Sequence, residues 1–219
     1  MLVNRRQFLF IFSSVAFLRV SLTNAQSKYS ETIGALKTAY KNEIQAHLNY
    51  LSYTEKAKLE NYPNIGHLFI SFATSESIHA RNFKEVLSAL GVQSWEPPKP
   101  EVKVFSTKEN LKIALEFEIK DIDHRYPQIY EISKPENHET AIRDIIYAWD
   151  SEKQHRDLIQ KMQSGTGIFF GVLAKKIEES SVQYFVCEVC GSTVTELPKG
   201  NCPICKNQAS RYKEVERIK

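Results

Sequence analysis

Acidic side chains lie inside the predicted apolar stripes of this chain, where a soluble helix would not normally place them. On an amphipathic helix a solvated Glu faces away from the apolar residues, yet Glu43 and Glu118 each fall among them. Burying an ionised carboxylate without a partner costs several kcal/mol. The fold must therefore bring a compensating charge to these side chains.

Two Glu-x-x-His pairs indicate that bound metal ions supply that charge. Glu76 and His79 lie in one predicted helix, Glu152 and His155 in another, and residues three apart share a helical face. One such pair is common on protein surfaces. Two pairs on alternate helices, with a Glu on each intervening helix, form the ligand pattern of carboxylate-bridged di-iron four-helix bundles. Oxygen and imidazole ligands suit iron or manganese better than structural zinc, and Glu76 and Glu152 are the candidate bridges.

Asp121 lies one turn after Glu118 and would add a fifth carboxylate. Five carboxylates and two ferrous ions leave one negative charge, and an oxo-bridged diferric pair leaves the same charge. A site with these ligands could change its redox state without changing its buried net charge, which limits reorganisation in a medium of low dielectric constant. Spacing alone leaves alternatives open, because Asp121 could be a surface acid and His47 and His124 are rival ligands.

Apolar periodicity predicts a mainly α fold, and eight Gly and eight Pro are few for an all-β chain of 219 residues. Gly91 should end the second helix. Ser106 and Glu109 form a capping box for the third, and Pro127 should kink or end that helix. Prolines between Trp95 and Pro100 indicate a stiff linker that crosses the bundle. The predicted helices are 30–59, 64–90, one starting after Ser106, 139–163, and a short one within 168–180.

Four cysteines cluster near the C-terminus as two Cys-x-x-Cys knuckles separated by 11 residues. This spacing is typical of a tetrahedral four-thiolate metal site. Iron there would be a one-electron redox centre, whereas zinc would be inert, and the ligands alone do not separate the two. Disulfides in an oxidising compartment are the alternative. The four residues are Cys187, Cys190, Cys202 and Cys205.

Residues 1–25 have the order of an export signal, with a basic start, an apolar centre and small residues at the exit. Arg5 and Arg6 before Phe8 and Leu9 resemble a twin-arginine leader. A general secretory signal and an uncleaved anchor are the alternatives, although the apolar run Phe8–Leu18 is too short to span a bilayer. Without this segment the basic and acidic residues are equal in number, so charge gives no argument for nucleic acid or a membrane surface.

A di-iron bundle followed by a knuckle pair resembles the rubrerythrin family over nearly all of residues 30–219. The resemblance implies a ferritin-like four-helix bundle at 27–165, a linker at 166–182 and a rubredoxin-like domain at 183–219. One departure is Asp121, where the family usually has a Glu, and an export signal is also unusual for the family. The positions that match the family's site are Glu43, Tyr50, Glu76, His79, Glu118, Tyr126 with Pro127, Glu152 and His155.

The resemblance implies a peroxidase that reduces hydrogen peroxide to water at two iron ions. Electrons would arrive from an unidentified donor through iron in the cysteine site, whereas zinc there would be inert. Family members dimerise, so that one subunit's cysteine module can lie near the di-iron site of the other. The leader would place the protein in the periplasm or outside the cell, and in the cytoplasm if it is not used. Alternatives are a ferroxidase and a non-enzymatic binding protein with a zinc ribbon. The residues expected to act in catalysis are Glu43, Glu76, Glu118, Glu152, Tyr50 and Tyr126.

Overall fold

The computed structural model describes residues 27–163, 170–179 and 182–217. The predicted export signal and the glycines at 165 and 167 lie outside the described residues. Within them, four long helical segments form a bundle, followed by a short helix and a small three-stranded sheet. None of the described helices combines the length and the apolar composition that a membrane span requires.

The first two helices are an antiparallel pair, α1 (Ser30–Leu59) and α2 (Pro63–Ala89). Asn61, with φ of 60°, turns the chain between them. Gly91 ends α2 as predicted, since its φ of 88° lies in the region that glycine adopts at helix ends. The first turn of α2 has no local side-chain cap, but the Glu178 carboxylate accepts hydrogen bonds from the backbone of Asn64 and Ile65.

The linker between the two halves of the bundle runs along α1, as the sequence predicts for a crossover connection. Tyr40 donates a hydrogen bond to Glu96 at 2.8 Å, and Lys84 of α2 pairs with the same carboxylate. Further along, the Gln45 amide donates to the Glu101 carbonyl at 3.0 Å. These contacts hold the linker along the length of α1. The third helix therefore begins at the end of the bundle opposite to the end where α2 finishes.

The third bundle helix continues through Pro127, and the prediction that it kinks or ends there is only partly right. It comprises α3 (Thr107–Lys120), a π-helical turn (Asp121–Arg125) and α4 (Tyr126–Ser133). The capping box of Ser106 and Glu109 is present at its start. In the π turn the Tyr126 N–H donates to the Asp121 carbonyl, so the hydrogen-bond register shifts just before the proline and the helix goes on.

The remaining elements follow the predicted order. A 3₁₀ turn (Lys134–Glu136) leads to the fourth bundle helix, α5 (Glu139–Gln163), and α6 (Phe170–Glu178) precedes the cysteine module. That module has three short strands, β1 (Phe185–Cys187), β2 (Thr193–Val194) and β3 (Tyr212–Glu214), all antiparallel in the order β2-β1-β3. The mainly α fold with a small cysteine domain is thus confirmed.

Two apolar clusters fill the bundle, one on each side of a polar layer. The first contains Tyr50, Phe69 and Phe72, and the second contains Leu36 and Phe83. Along both α1 and α2 the buried acidic residues fall between the two clusters. This arrangement surrounds the polar layer with close-packed side chains and keeps it from bulk water.

Candidate metal centre

Six side chains converge in the polar layer as two overlapping groups of four. In each group the potential ligand atoms all lie within 4.8 Å of one another. Glu76 and Glu152 belong to both groups, which is the position of a bridging carboxylate. The first group is completed by Glu43 and His79, the second by Glu118 and His155.

The two groups are nearly symmetric around the histidine Nδ1 atoms. Nδ1 of His79 lies 2.9 Å from Glu76, 3.3 Å from Glu152 and 3.6 Å from Glu43. Nδ1 of His155 lies 3.2 Å from Glu152, 3.3 Å from Glu76 and 3.7 Å from Glu118. Each ring therefore directs one nitrogen at its own terminal carboxylate and at both shared ones.

Two buried tyrosines orient the terminal carboxylates in matching ways. The Tyr50 hydroxyl donates a hydrogen bond to Glu118, and the Tyr126 hydroxyl donates to Glu43. Burial and the neighbouring carboxylates raise the pKa of both tyrosines well above the usual value. They stay protonated and serve as hydrogen-bond donors, which agrees with the sequence-based interpretation of both residues as neighbours of the site.

The charge of the layer fits bound cations. Oε1 of Glu76, Oε2 of Glu118 and Oδ1 of Asp121 are buried and make no hydrogen bond among the described residues, although Oδ1 of Asp121 has an ion-pair contact with Arg125. A carboxylate oxygen in that state is costly to bury unless a cation meets it. The donor set of four carboxylates and two imidazoles suits two iron or manganese ions, so the residues present fit the di-iron pair that their spacing predicts.

Metal binding should release protons from this layer. Burial, together with adjacent carboxylates, raises the pKa of Glu43 and Glu118 well above the usual Glu range. Burial alone would lower the pKa of His79 and His155, but the surrounding carboxylates raise it well above its usual value. The metal-free layer thus holds protons at neutral pH, and a metal must displace them.

We therefore expect metal affinity to increase as pH rises through neutrality, with about one or more protons released per metal. Titration of the metal-free protein with Mn²⁺ in a weakly buffered solution containing a pH indicator measures the release directly. Binding that releases no protons and has the same affinity at pH 6 and pH 8 would contradict this.

Asp121 lies outside both ligand groups, although it is buried and close to them. Its carboxylate instead pairs with Arg125 at 2.5 Å. Burial raises the pKa of Asp121 to about 8, with Arg125 opposing the shift and Glu152 and Glu76 adding to it. Asp121, predicted from its spacing to be a metal ligand, is thus the ion-pair partner of Arg125 in the structure.

The other histidines lie away from the ligand groups. Nδ1 of His47 contacts the Ala73 carbonyl at 2.7 Å, and His124 is exposed. Nε2 of His67 contacts the Val215 carbonyl at 2.8 Å, while His138 accepts a hydrogen bond from the backbone of α5. The structure therefore gives these four side chains structural contacts or solvent exposure and leaves the ligand groups as described above.

The four cysteines form a second, separate centre in the C-terminal module. Their sulfur atoms lie within 4.8 Å of one another, and all four are buried free thiols. The disulfide alternative is therefore not adopted in the structure. The Tyr212 hydroxyl donates to Cys202 Sγ at 3.2 Å. Four sulfurs at this spacing suit a single tetrahedral iron or zinc ion.

The cysteine module of this same chain covers the histidine side of the polar layer, whereas the family resemblance led us to expect the module of a second subunit there. Nε2 of His79 donates to the Cys190 carbonyl at 3.2 Å, and Nε2 of His155 donates to the Thr193 hydroxyl at 3.2 Å. That hydroxyl itself donates to the Gly191 carbonyl. Because each Nε2 carries the proton, each Nδ1 faces the carboxylates as a metal ligand would.

Small polar residues of the bundle complete the docking surface. The Ser75 hydroxyl donates to the Gly191 carbonyl at 2.8 Å, and the Gln154 side chain accepts from the Ser192 hydroxyl and the Thr193 backbone. Ser75 precedes Glu76, and Gln154 precedes His155. In the sequence, these two residues are marked by their position next to a ligand. Neither residue type predicts a docking role unless the surface of the cysteine module is known.

Replacing Gly191 by Ala should undock the module. Gly191 has φ of 79°, and an added Cβ would lie 2.3 Å from Nε2 of His79. The left-handed backbone alone costs about 1–2 kcal/mol for a residue with a Cβ, and the clash adds to this cost. We expect the Thr193 amide to exchange its hydrogen about tenfold faster or more, as measured by hydrogen–deuterium exchange.

The matched control is Gly200→Ala, because an added Cβ at Gly200 meets nothing within 4 Å. That variant should exchange like the wild type. If Gly191→Ala also exchanged like the wild type, the docking contact would not depend on the close approach to His79.

The rubrerythrin family model matches residues 34–163 of the chain. Rubrerythrin-2 of Clostridium acetobutylicum is 32% identical over 84% of this chain and 97% of its own length. The chain belongs to the rubrerythrin family. The rubrerythrin of Porphyromonas gingivalis is 27% identical over 88% of this chain and 94% of its own length.

A solved structure of nigerythrin in a mixed-valence state shares the fold, with a TM-score of 0.71 at 21% identity over 84% of this chain and 86% of that one. Nigerythrin of Nitratidesulfovibrio vulgaris is also similar in sequence, with 20% identity over 84% of this chain and 86% of its own length. As a member of the rubrerythrin family, the chain is a di-iron oxidoreductase of oxidative-stress defence.

Proposed function

We propose that this rubrerythrin-family protein is a peroxidase that reduces hydrogen peroxide to water with electrons delivered through an iron ion held by the four cysteines. The observation that carries the proposal is the contact between the two centres. Cys190, a residue of the cysteine centre, accepts a hydrogen bond through its carbonyl from His79, a residue of the polar layer. A one-electron centre is thereby connected to a carboxylate-rich centre by a few covalent bonds and one hydrogen bond.

The reaction needs two electrons and two protons for each peroxide, and it forms two waters. Iron ions held by the two ligand groups would supply the electrons for cleaving the O–O bond. The four-thiolate site is coordinatively closed and has no position for substrate, so the division of labour follows from the ligands. Substrate would react in the bundle, and the cysteine centre would only resupply electrons.

The chain's own residues contribute proton handling and exclusion of water. The Tyr50 and Tyr126 hydroxyls hold protons on the oxygen atoms directed at Glu118 and Glu43. Because metal binding displaces the protons of those two carboxyls, the tyrosine hydroxyls remain as proton donors beside the metal-loaded site. The apolar clusters on both sides keep this chemistry away from bulk solvent.

Metal analysis and colour of the native purified protein test the proposal first. A red protein with about three iron ions per chain, two from the ligand pattern and one from the cysteines, supports it. A colourless, zinc-containing protein would favour a zinc-ribbon binding protein. Rapid oxidation of added Fe²⁺ by oxygen, with no dependence on an electron donor, would favour a ferroxidase.

We propose a homodimer as the assembly, because the family resemblance implies it. In the structure, the module that covers the polar layer belongs to the same chain, so a complete site does not require the second copy. Light scattering of the purified protein measures the assembly, and a mass equal to one chain would contradict the dimer.

We also propose that the leader directs export of the folded protein to the periplasm. The support is the Arg5-Arg6 pair with the apolar residues that follow it, together with metal centres that would be loaded before export. Replacing both arginines by lysine keeps the charge but should retain the precursor in the cytoplasm, because the twin-arginine route reads the pair itself. Cell fractionation measures the export of this variant. Unchanged export would indicate the general secretory route.

A further inference from the structure

Arg125 is a charged residue beside the polar layer that the sequence-based ligand set does not include. Its NH1 atom lies 2.5 Å from Oδ1 of Asp121, and its guanidinium lies 4.3 Å from the centre of the Phe117 ring. The Arg125 side chain is 22% exposed and the Asp121 side chain 8%. The aromatic ring and the carboxylate together hold the guanidinium in one place, with Asp121 on its buried side.

The π turn directs two consecutive residues to different partners. Arg125 is the last residue of the turn and contacts Asp121, its first residue. Tyr126 follows immediately and donates its hydroxyl to Glu43 of α1. The same local geometry therefore supports one terminal ligand through Tyr126 and binds a further carboxylate through Arg125.

The pairing also balances the charge of the layer. Counted from sequence, five carboxylates and two divalent ions leave one uncompensated negative charge in the core. The two ligand groups use only four carboxylates, whose charge two divalent ions neutralise. Asp121 is the fifth carboxyl, and when it is ionised Arg125 supplies the positive charge that balances it. In a medium of low dielectric constant this neutral arrangement avoids the cost of burying an unpaired charge.

We propose that Arg125 is a positioning residue that holds Asp121 out of the metal coordination. The bundle then binds its two metals with six side chains, and the position that a seventh side chain would fill stays available to a small exogenous ligand. The inference rests on the two-metal assignment of the proposed function, but it concerns ligation and does not depend on which oxidant reacts there.

Binding of Mn²⁺ to the full chain, measured by equilibrium dialysis, tests the proposal without any enzymatic assay. Mn²⁺ prefers oxygen and imidazole ligands to thiolates, so it reports the bundle and not the cysteine site. The wild type should bind two ions. Asp121→Asn should still bind two, with affinities within about threefold of wild type, because the lost carboxylate is not a ligand.

The decisive comparison is a double-mutant cycle. Arg125→Met removes the charge and keeps an apolar side chain against Phe117, so the released Asp121 becomes free to coordinate. Asp121→Asn should then weaken Mn²⁺ binding by about tenfold or more in the Arg125→Met chain, although it has little effect when Arg125 is present. Arg125→Lys, which keeps the charge, should restore the wild-type insensitivity to Asp121→Asn.

Arg143→Met is the matched control, since Arg143 also pairs with a buried aspartate, Asp144, at 2.8 Å. Neither residue belongs to a ligand group, and this variant should bind Mn²⁺ like the wild type. If Arg125→Met does not fold, as judged by circular dichroism, the single Asp121→Asn variant still decides the question. Loss of one metal from it, or a loss of affinity equal to that of Glu118→Gln, would overturn the proposal.

An additive double-mutant cycle, in which Asp121→Asn has the same effect with and without Arg125, would also overturn the proposal. Arg125 would then not position Asp121. A wild-type chain that binds no Mn²⁺ would overturn the two-metal assignment together with this inference. Two bound ions with no peroxidase activity would contradict the proposed function alone and leave the ligation result standing.

Discussion

Replacing Glu152 by Ala should remove both metals from the bundle, although it deletes one ligand of six. Glu152 belongs to both ligand groups, with its oxygens 3.3 Å from Nδ1 of His79 and 3.2 Å from Nδ1 of His155. Loss of a shared carboxylate leaves each metal with one ligand fewer and removes the connection between them. We expect the bundle to retain fewer than about 0.2 metal ions per chain after dialysis against a chelator, since removing even a supporting contact can cost 10–100-fold in affinity.

The comparison variants separate bridging from simple loss of charge. Glu43→Ala removes a buried carboxylate that belongs to one group only, and His79→Ala removes the imidazole of the same group. Each should weaken mainly one of the two metals. Glu152→Gln preserves the side-chain volume, so a matching loss in that variant excludes a cavity as the cause. Full metal content in Glu152→Ala would show that this residue does not bridge.

Replacing Cys187 by Ser should abolish peroxide turnover with an external electron donor. The four sulfurs could hold a single ion in a closed set, and the loss of one thiolate would disrupt a site that supplies much of the folding energy of so small a module. The carboxylate layer does not include a cysteine. Chemically reduced bundle metals in this variant should therefore still be oxidised by one equivalent of peroxide, as stopped-flow absorbance can measure.

Lys206→Gly is the matched control for this experiment. Lys206 directly follows Cys205, is exposed and has φ of 62°, a conformation that glycine adopts without strain. It should turn over like the wild type. A normal turnover rate in Cys187→Ser would mean that the module is structural, and the ferroxidase and zinc-ribbon alternatives would gain support.

Several features of the fold were available from the sequence because they depend on local periodicity. The first and fourth helices begin and end where the apolar pattern predicts them, at Ser30–Leu59 and Glu139–Gln163. The break of the third helix at Pro127 was predicted too strongly. Proline removes one N–H, but whether a π turn absorbs the change depends on the packing of the neighbouring helices.

The ligand candidates of both centres follow from local spacing in the amino-acid sequence. A Glu-x-x-His pair on one helical face, or two cysteines three residues apart, fixes the relative positions of its members through the local backbone. Four such constraints with complementary chemistry leave few ways to satisfy their charges. For the same reason Glu43, Glu76 and Glu118 could be assigned to one buried layer before any contact between helices was known.

The surroundings of those ligands, in contrast, depend on how the helices and the cysteine module pack together. Gly191 contacts His79 across more than 100 residues of chain, and no local pattern encodes so distant a neighbour. Arg125 and Asp121, four residues apart, have the spacing of an ordinary surface ion pair. Burial turns that pair into part of the charge balance of the metal layer, because desolvation makes every uncompensated charge costly, and burial is a property of the packed bundle rather than of any single helix.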